Sequence, residues 1–253
     1  MELLSNELIS PLMTIGLILL AGFTSFITAA FGAGGGLLLL IVMASILPIS
    51  ALIPVHGLVQ LGSNANRMLF TFRHIDWSML AYFSAGGIVG ALSASLLVTQ
   101  LPIELMKLVV GLFVLYVLWG ATPSIQETSK LGRAIAGAVT TFLSMFVGAS
   151  GPMVGSYMYR NAYEKLRFTA TFSSCMTFQH SLKAFVYVSI GFSFWQWLPL
   201  IVAMIISGGV GTWIGIKLLK KLPAEKFKLV FRVILSLLCV QLISLTTYEW
   251  LML

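Results

Sequence analysis

From Leu8 onward the chain is a series of apolar runs close to twenty residues long, and few folds accommodate such runs. A helix of about 20 residues matches the roughly 30 Å hydrocarbon core of a bilayer and satisfies its own backbone there. Composition points the same way: 58% of the residues are hydrophobic and 9% are charged, where a soluble domain carries about 25% charged. The expected fold class is an all-α polytopic membrane protein with the lipid bilayer as its solvent. The first run, about 8–31, is preceded only by Glu2 and Glu7 and lacks a basic segment, so it reads as a first membrane helix rather than a cleaved signal peptide.

Eight runs are long: about 8–31, 51–72, 77–98, 104–120, 131–147, 168–191, 196–219 and 226–247. Two shorter pieces, about 34–47 and 151–160, each follow a glycine-rich break, FGAGGG at 31–36 and GASGP at 148–152. At 1.5 Å per residue they are roughly 20 and 15 Å long, too short for a full crossing, and read as broken or half helices. With ten alternating elements, Arg67 and Arg73, Lys130 and Arg133, Arg160, Lys165 and Arg167, and the lysines at 217, 220, 221, 226 and 228 all fall on one side. The connections at 99–103 and 192–195, without a basic residue, fall on the other. The positive-inside rule then places both termini in the periplasm or exterior. The net charge of +7 is thus explained by topology, and nucleic acid is not an expected partner.

The two halves repeat each other. GAGGGL at 32–37 matches GASGPM at 148–153, Gln60 to Asn64 matches Gln179 to Lys183, and LPIELMKLVVG at 101–111 matches LPAEKFKLVFR at 222–232. Small-residue ladders lie between the last two pairs, Gly86, Gly90 and Ala94 in one half and Ser207, Gly211 and Gly215 in the other, and read as close helix crossings. Equivalent connections differ in charge: Thr99-Gln100 stands against Lys220-Lys221, and Arg73-His74 against Ser193-Phe194. Five elements are an odd number, so a second copy starts from the opposite face. The expected organisation is two inverted-topology repeats, 1–122 and 123–253, whose usual use is alternating access at a midplane site.

A helix that begins inside a membrane presents unpaired N–H groups and about half a positive charge, and glycines leave an anion free to approach them. Gly32, Gly34, Gly35 and Gly36 before one half helix, and Gly148, Ser150 and Gly151 before the other, are therefore candidate substrate-binding residues. Pro152 suits a first helical turn. The acidic residues, Glu2, Glu7, Asp76, Glu104, Glu127, Glu164, Glu225 and Glu249, all lie at segment ends or in connections, which argues against cation or metal transport. Lys183 is an intramembrane cation on one helix face with Gln179 and His180. Its repeat mate offers Gln60 and Asn64, with Arg67 one turn on. These six complete the candidate binding set, with helix-to-helix hydrogen bonding as the alternative for the amides. A lone His56 could touch the same cavity but reads first as packing, and the RHIDW stretch at 73–77 reads as an interfacial loop anchored by Trp77.

Cys175 and Cys239 lie in apolar segments without a metal-ligand spacing, and the twelve methionines are scattered, so no metal, cofactor or nucleophile is expected. An enzyme has nothing here to work with. An anion channel would use the same helix dipoles as a carrier and stays open as an alternative.

The order of these motifs, a first helix running into G-x-G-G-G, then RHIDW, then GGxxG and LP, then GASGP in the second half, resembles the TauE/SafE group of sulfite exporters over essentially the whole chain. The resemblance implies a bacterial or archaeal inner-membrane carrier for sulfite, sulfoacetate, other organosulfonates or thiosulfate. An exporter is the leading direction, and an uptake carrier for thiosulfate or sulfate is the alternative. A homodimer is one assembly this allows. Ser150 stands where the family often has glycine, and Pro54-Val55-His56 where small hydroxyl residues are common, so the substrate is less constrained than the fold.

Overall fold

The computed structural model describes residues 9–31, 34–97, 103–120, 129–148, 150–159, 161, 163–218 and 225–251. Each of the ten expected pieces is a helix: α1 (Pro11–Phe31), α2 (Gly35–Ala44), α3 (Ile49–Thr71), α4 (Trp77–Ser95), α5 (Ile103–Trp119), α6 (Lys130–Val147), α7 (Gly151–Tyr159), α8 (Lys165–Ser189), α9 (Leu198–Leu218) and α10 (Glu225–Leu251). No strand occurs among the described residues. Glu2, Glu7, Gly32, Glu127, Arg160, the Thr99-Gln100 and Lys220-Lys221 connections and both LP dipeptides lie outside them.

Four helices among the described residues are long and apolar enough to cross a membrane unaided: α1, α4, α6 and the stretch Trp195–Leu218 containing α9. α2, α5 and α7 are shorter than a full crossing window, and α10 contributes the apolar stretch Ser236–Tyr248. α3 and α8 are long but carry the polar residues, and they pack against each other at the centre, with α9 on one side and α4 on the other. Protein rather than lipid therefore covers those polar groups, as a bilayer requires. The outward surface is apolar, with Leu12, Leu19, Phe23, Leu92, Val210 and Leu237 among its exposed side chains.

The closest crossings use the small-residue ladders. α1 packs along α9, where a Cβ at Gly211 would strike the Gly22 carbonyl and one at Gly215 would lie 2.6 Å from the Phe26 carbonyl oxygen. α4 packs along α6, with Gly86 and Gly90 against the backbone of Ala134 and Ala138. Only glycine lets the backbones approach this closely. α5 lies against α10, where Val110 and Val114 join Cys239 and Leu242 in the main apolar core.

The RHIDW stretch, expected from the sequence as an interfacial loop, tethers two helices. Asp76 caps α4 by accepting the Met79 N–H at 2.9 Å, and it also accepts from the Tyr163 hydroxyl at 2.8 Å and from Arg167 at 3.2 Å. Its own N–H donates to Thr171 Oγ1 at 3.0 Å, which fastens the start of α4 to the start of α8.

Candidate functional site

Both glycine breaks face one cavity. Its volume is about 40 Å³, and its walls are Thr28 of α1, Gly34, Gly36 and Leu37 at the start of α2, His56, Gln60 and Asn64 of α3, Gly151 and Pro152 at the start of α7, and Phe172, Met176 and His180 of α8. A single water needs roughly 10–15 Å³ of such volume, so the space suits about three waters or a small ion.

The start of α2 is bare. Gly34 takes φ 106°, a conformation that disfavours any residue with a Cβ, and no side chain caps the helix. Its carbonyl accepts the first helical bonds, from Leu37 N–H at 2.9 Å and Leu38 N–H at 3.3 Å, so the amides of Gly35 and Gly36 precede the ladder. Gly36 lies beside Gln60, whose Nε2 would be 2.9 Å from a Cβ there. Gly35 instead faces α1, where a Cβ would strike the Thr24 carbonyl, so it is a packing glycine and does not line the cavity.

The second break differs in detail. Its positive-φ glycine is Gly148, the C-cap of α6 at φ 83°. The Ser150 carbonyl accepts the Val154 N–H of α7 at 3.1 Å. The Ser150 hydroxyl donates to Gln179 Oε1 at 2.5 Å, while Gln179 Nε2 donates to Thr141 Oγ1 at 3.1 Å and Thr140 Oγ1 at 3.4 Å. Ser150 and Gln179 thus lock α6, α7 and α8 together behind the cavity. The hydroxyl that an oxyanion would have used already has an acceptor.

The two amides at matching repeat positions therefore have different jobs. Gln60 stands in the cavity wall. His56 Nε2 lies 3.0 Å from the Gly36 carbonyl oxygen, which can only accept, so the ring proton is on Nε2. Gln60 Nε2 lies 3.3 Å from that nitrogen and, with the proton there, cannot donate into it. His180 also lines the cavity and makes no hydrogen bond among the described residues; its Nδ1 is buried without a partner. Asn64 donates to the Gln60 carbonyl at 2.8 Å and accepts from Arg67 Nη1 at 3.1 Å.

The cations stand behind the wall rather than in it. Arg67 is 2% exposed, also donates to Ser63 Oγ at 3.4 Å, and leaves Nε without a partner. Lys183 is fully buried and donates to the Gly148 carbonyl at 2.8 Å. Among the described side chains these two carry the buried formal charge, and no buried carboxylate answers them. A buried charge is costly without a partner, so an anion brought close to these two side chains is favoured.

Of the expected site residues, Gly34, Gly36, Gln60, Asn64, Gly151 and His180 line the cavity; Gly35, Arg67, Gly148, Ser150, Gln179 and Lys183 form its supports; Gly32 lies outside the described residues. His56, for which the sequence left packing and cavity contact open, is part of the wall, as are Thr28, Leu37, Pro152, Phe172 and Met176. His56 falls four residues before Gln60, one turn along the same face, which is the sequence signal that favours the cavity over packing.

A family model described as sulfite exporter TauE/SafE matches residues 17–242. No curated protein and no solved structure matches the chain.

Proposed function

The chain belongs to the sulfite exporter TauE/SafE family, whose members transport sulfur-containing anions across membranes, and on that premise we propose that it is a secondary carrier exporting sulfite or a similarly small sulfur oxyanion. The observation that carries this reading is the cavity between the two breaks: bare helix starts and the Gln60 and His180 side chains face it, and buried Arg67 and Lys183 surround it without a buried carboxylate. Such a lining attracts an anion and repels a cation. Its volume of about 40 Å³ has room for about three waters or a small ion. The mechanism assigned to it is binding and reorientation, with no covalent step.

Alternating access follows from the repeat reading, 1–122 and 123–253. Exchanging α1–α5 with α6–α10 turns the α1–α9 contact into α6–α4, returns α3–α8 and α5–α10 to themselves, and turns α3–α9 into α8–α4. That pairing supports an inverted repeat, because a pseudo-two-fold relating the halves demands it. Rocking one half against the other would open the cavity to each side in turn. The eight long helices then cross the bilayer, two of them shielded by neighbours, with both termini periplasmic in an inner membrane. Thermal-shift binding of sulfite, thiosulfate, sulfate, sulfoacetate and taurine to the purified protein tests the reading. Stabilisation by the small oxyanions is expected, and stabilisation by none of the five overturns it.

A further inference from the structure

We propose that Lys183 is a positioning residue that ties the cavity to the α6–α7 break: its ammonium holds the end of α6 while the cavity is empty and turns toward the anion when one binds. This rests on the reading of the cavity as an anion site.

The Lys183 ammonium caps a helix inside the membrane. Its partner, the Gly148 carbonyl, belongs to the C-cap of α6, at the negative end of that helix dipole. The stem reaches it past Gly57 of α3, where a Cβ would lie 2.7 Å from Lys183 Cδ. Glycine there gives the lysine its path. The ammonium is absent from the cavity wall, yet its stem passes Gly57, the neighbour of His56, and its residue lies three positions after His180 on α8, and both histidines belong to that wall. It therefore stands one layer behind the wall, at the α6 end of the break.

Its present partner is a neutral carbonyl with a fractional dipole charge, and no buried carboxylate competes for it among the described side chains. A full negative charge in the cavity attracts the ammonium more strongly than that dipole does, and the low local dielectric enlarges the difference. When Lys183 turns, the Gly148 carbonyl loses its cap. The end of α6 then keeps its ties to α8 through the Tyr187 hydroxyl on the Met145 carbonyl and the Ser150–Gln179 bond, one fewer than before. Anion binding thereby loosens the element that a rocking carrier must move.

Hydrogen exchange of the 142–159 segment, measured on the purified full-length protein with and without sodium sulfite, tests this. In the wild type sulfite should speed exchange there about tenfold, the factor that one lost charge-assisted bond carries. Lys183→Met should exchange fast without sulfite and respond no further, while Lys183→Arg restores slow exchange. Gly57→Ala displaces the lysine stem without removing its charge and should reproduce part of the Lys183→Met effect. Unchanged exchange along α1 and α9 in every variant verifies folding. Slow exchange of 142–159 in sulfite-free Lys183→Met, with wild-type melting, overturns the cap. Thermal stabilisation of the wild type by sulfite without faster exchange at 142–159 overturns this proposal alone. No stabilisation by sulfite overturns the sulfite reading and this proposal together.

Discussion

Gly36→Ala separates the cavity's role in binding from its role in stability. Gly36 is the second residue of α2, and a Cβ there would lie 2.9 Å from Gln60 Nε2 and 3.3 Å from Gln60 Cδ. The obstacle is the far end of a flexible side chain, so the amide moves and the backbone stays. Alanine gains about 0.5–1 kcal/mol over glycine in a helix, and this offsets the cost of shifting Gln60. The melting temperature should stay within about 4 °C of wild type. Binding should not survive as well. The added methyl takes on the order of a third of a cavity of about 40 Å³, and the amide loses its place as a donor. One hydrogen bond to a charged partner contributes about 1.5–3 kcal/mol, or roughly 10- to 150-fold in affinity. Calorimetric titration with sulfite measures the loss directly. Gly35→Ala gives the contrast, since its methyl meets the Thr24 carbonyl of α1 and should lower the melting temperature. A Gly36→Ala protein that melts normally and binds sulfite within threefold of wild type would refute the reasoning.

Three further outcomes follow from the packing and the tether. Gln179→Leu strands the buried Ser150 and Thr141 hydroxyls and should destabilise the protein by about 1–3 kcal/mol in thermal or chemical denaturation. Gly90→Val pushes into the Ala138 backbone on α6 and should abolish a monodisperse peak in size-exclusion chromatography, whereas an exposed change such as Leu92→Val leaves it intact. Asp76 supplies a pH dependence. Partial burial opposes its ionisation, but the Met79 N–H, the Tyr163 hydroxyl and the charges of Arg133 and Arg167 outweigh that and hold the carboxyl below its usual range. A depressed folded-state value means stability that is present above the unfolded carboxyl range and lost as pH falls through the folded value. Limited proteolysis near 163–167 should accelerate across that acidic window in the wild type and be fast and pH-independent in Asp76→Asn.

How much was legible in the sequence varied with the kind of force involved. The ten helices and both breaks could be read because apolar runs and glycine clusters are local signals, and the boundaries fell within a few residues; α3 starts at Ile49 where the run suggested 51. The ladder glycines were read correctly as packing, since small-residue spacing has one dominant use in membranes. The site was harder because a residue type does not reveal its partner. Gly35 and Gly36 are indistinguishable as letters, yet one faces α1 and the other Gln60. Gln60 and Gln179 occupy matching positions, but Ser150 and two threonines capture only the second. Lys183 was visible as an intramembrane charge, whereas its hold on the Gly148 carbonyl depends on a fold that brings residues 35 positions apart into contact.

A small sulfur anion carried through the cavity between the two breaks would appear as sulfite flux in proteoliposomes. Flux that saturates with sulfite, shows counter-transport and falls at least tenfold in His180→Leu and Gly36→Ala proteins that melt like wild type is the predicted result. Flux that is absent, that rises linearly without counter-transport, or that is untouched by both substitutions would rule out carriage through this cavity.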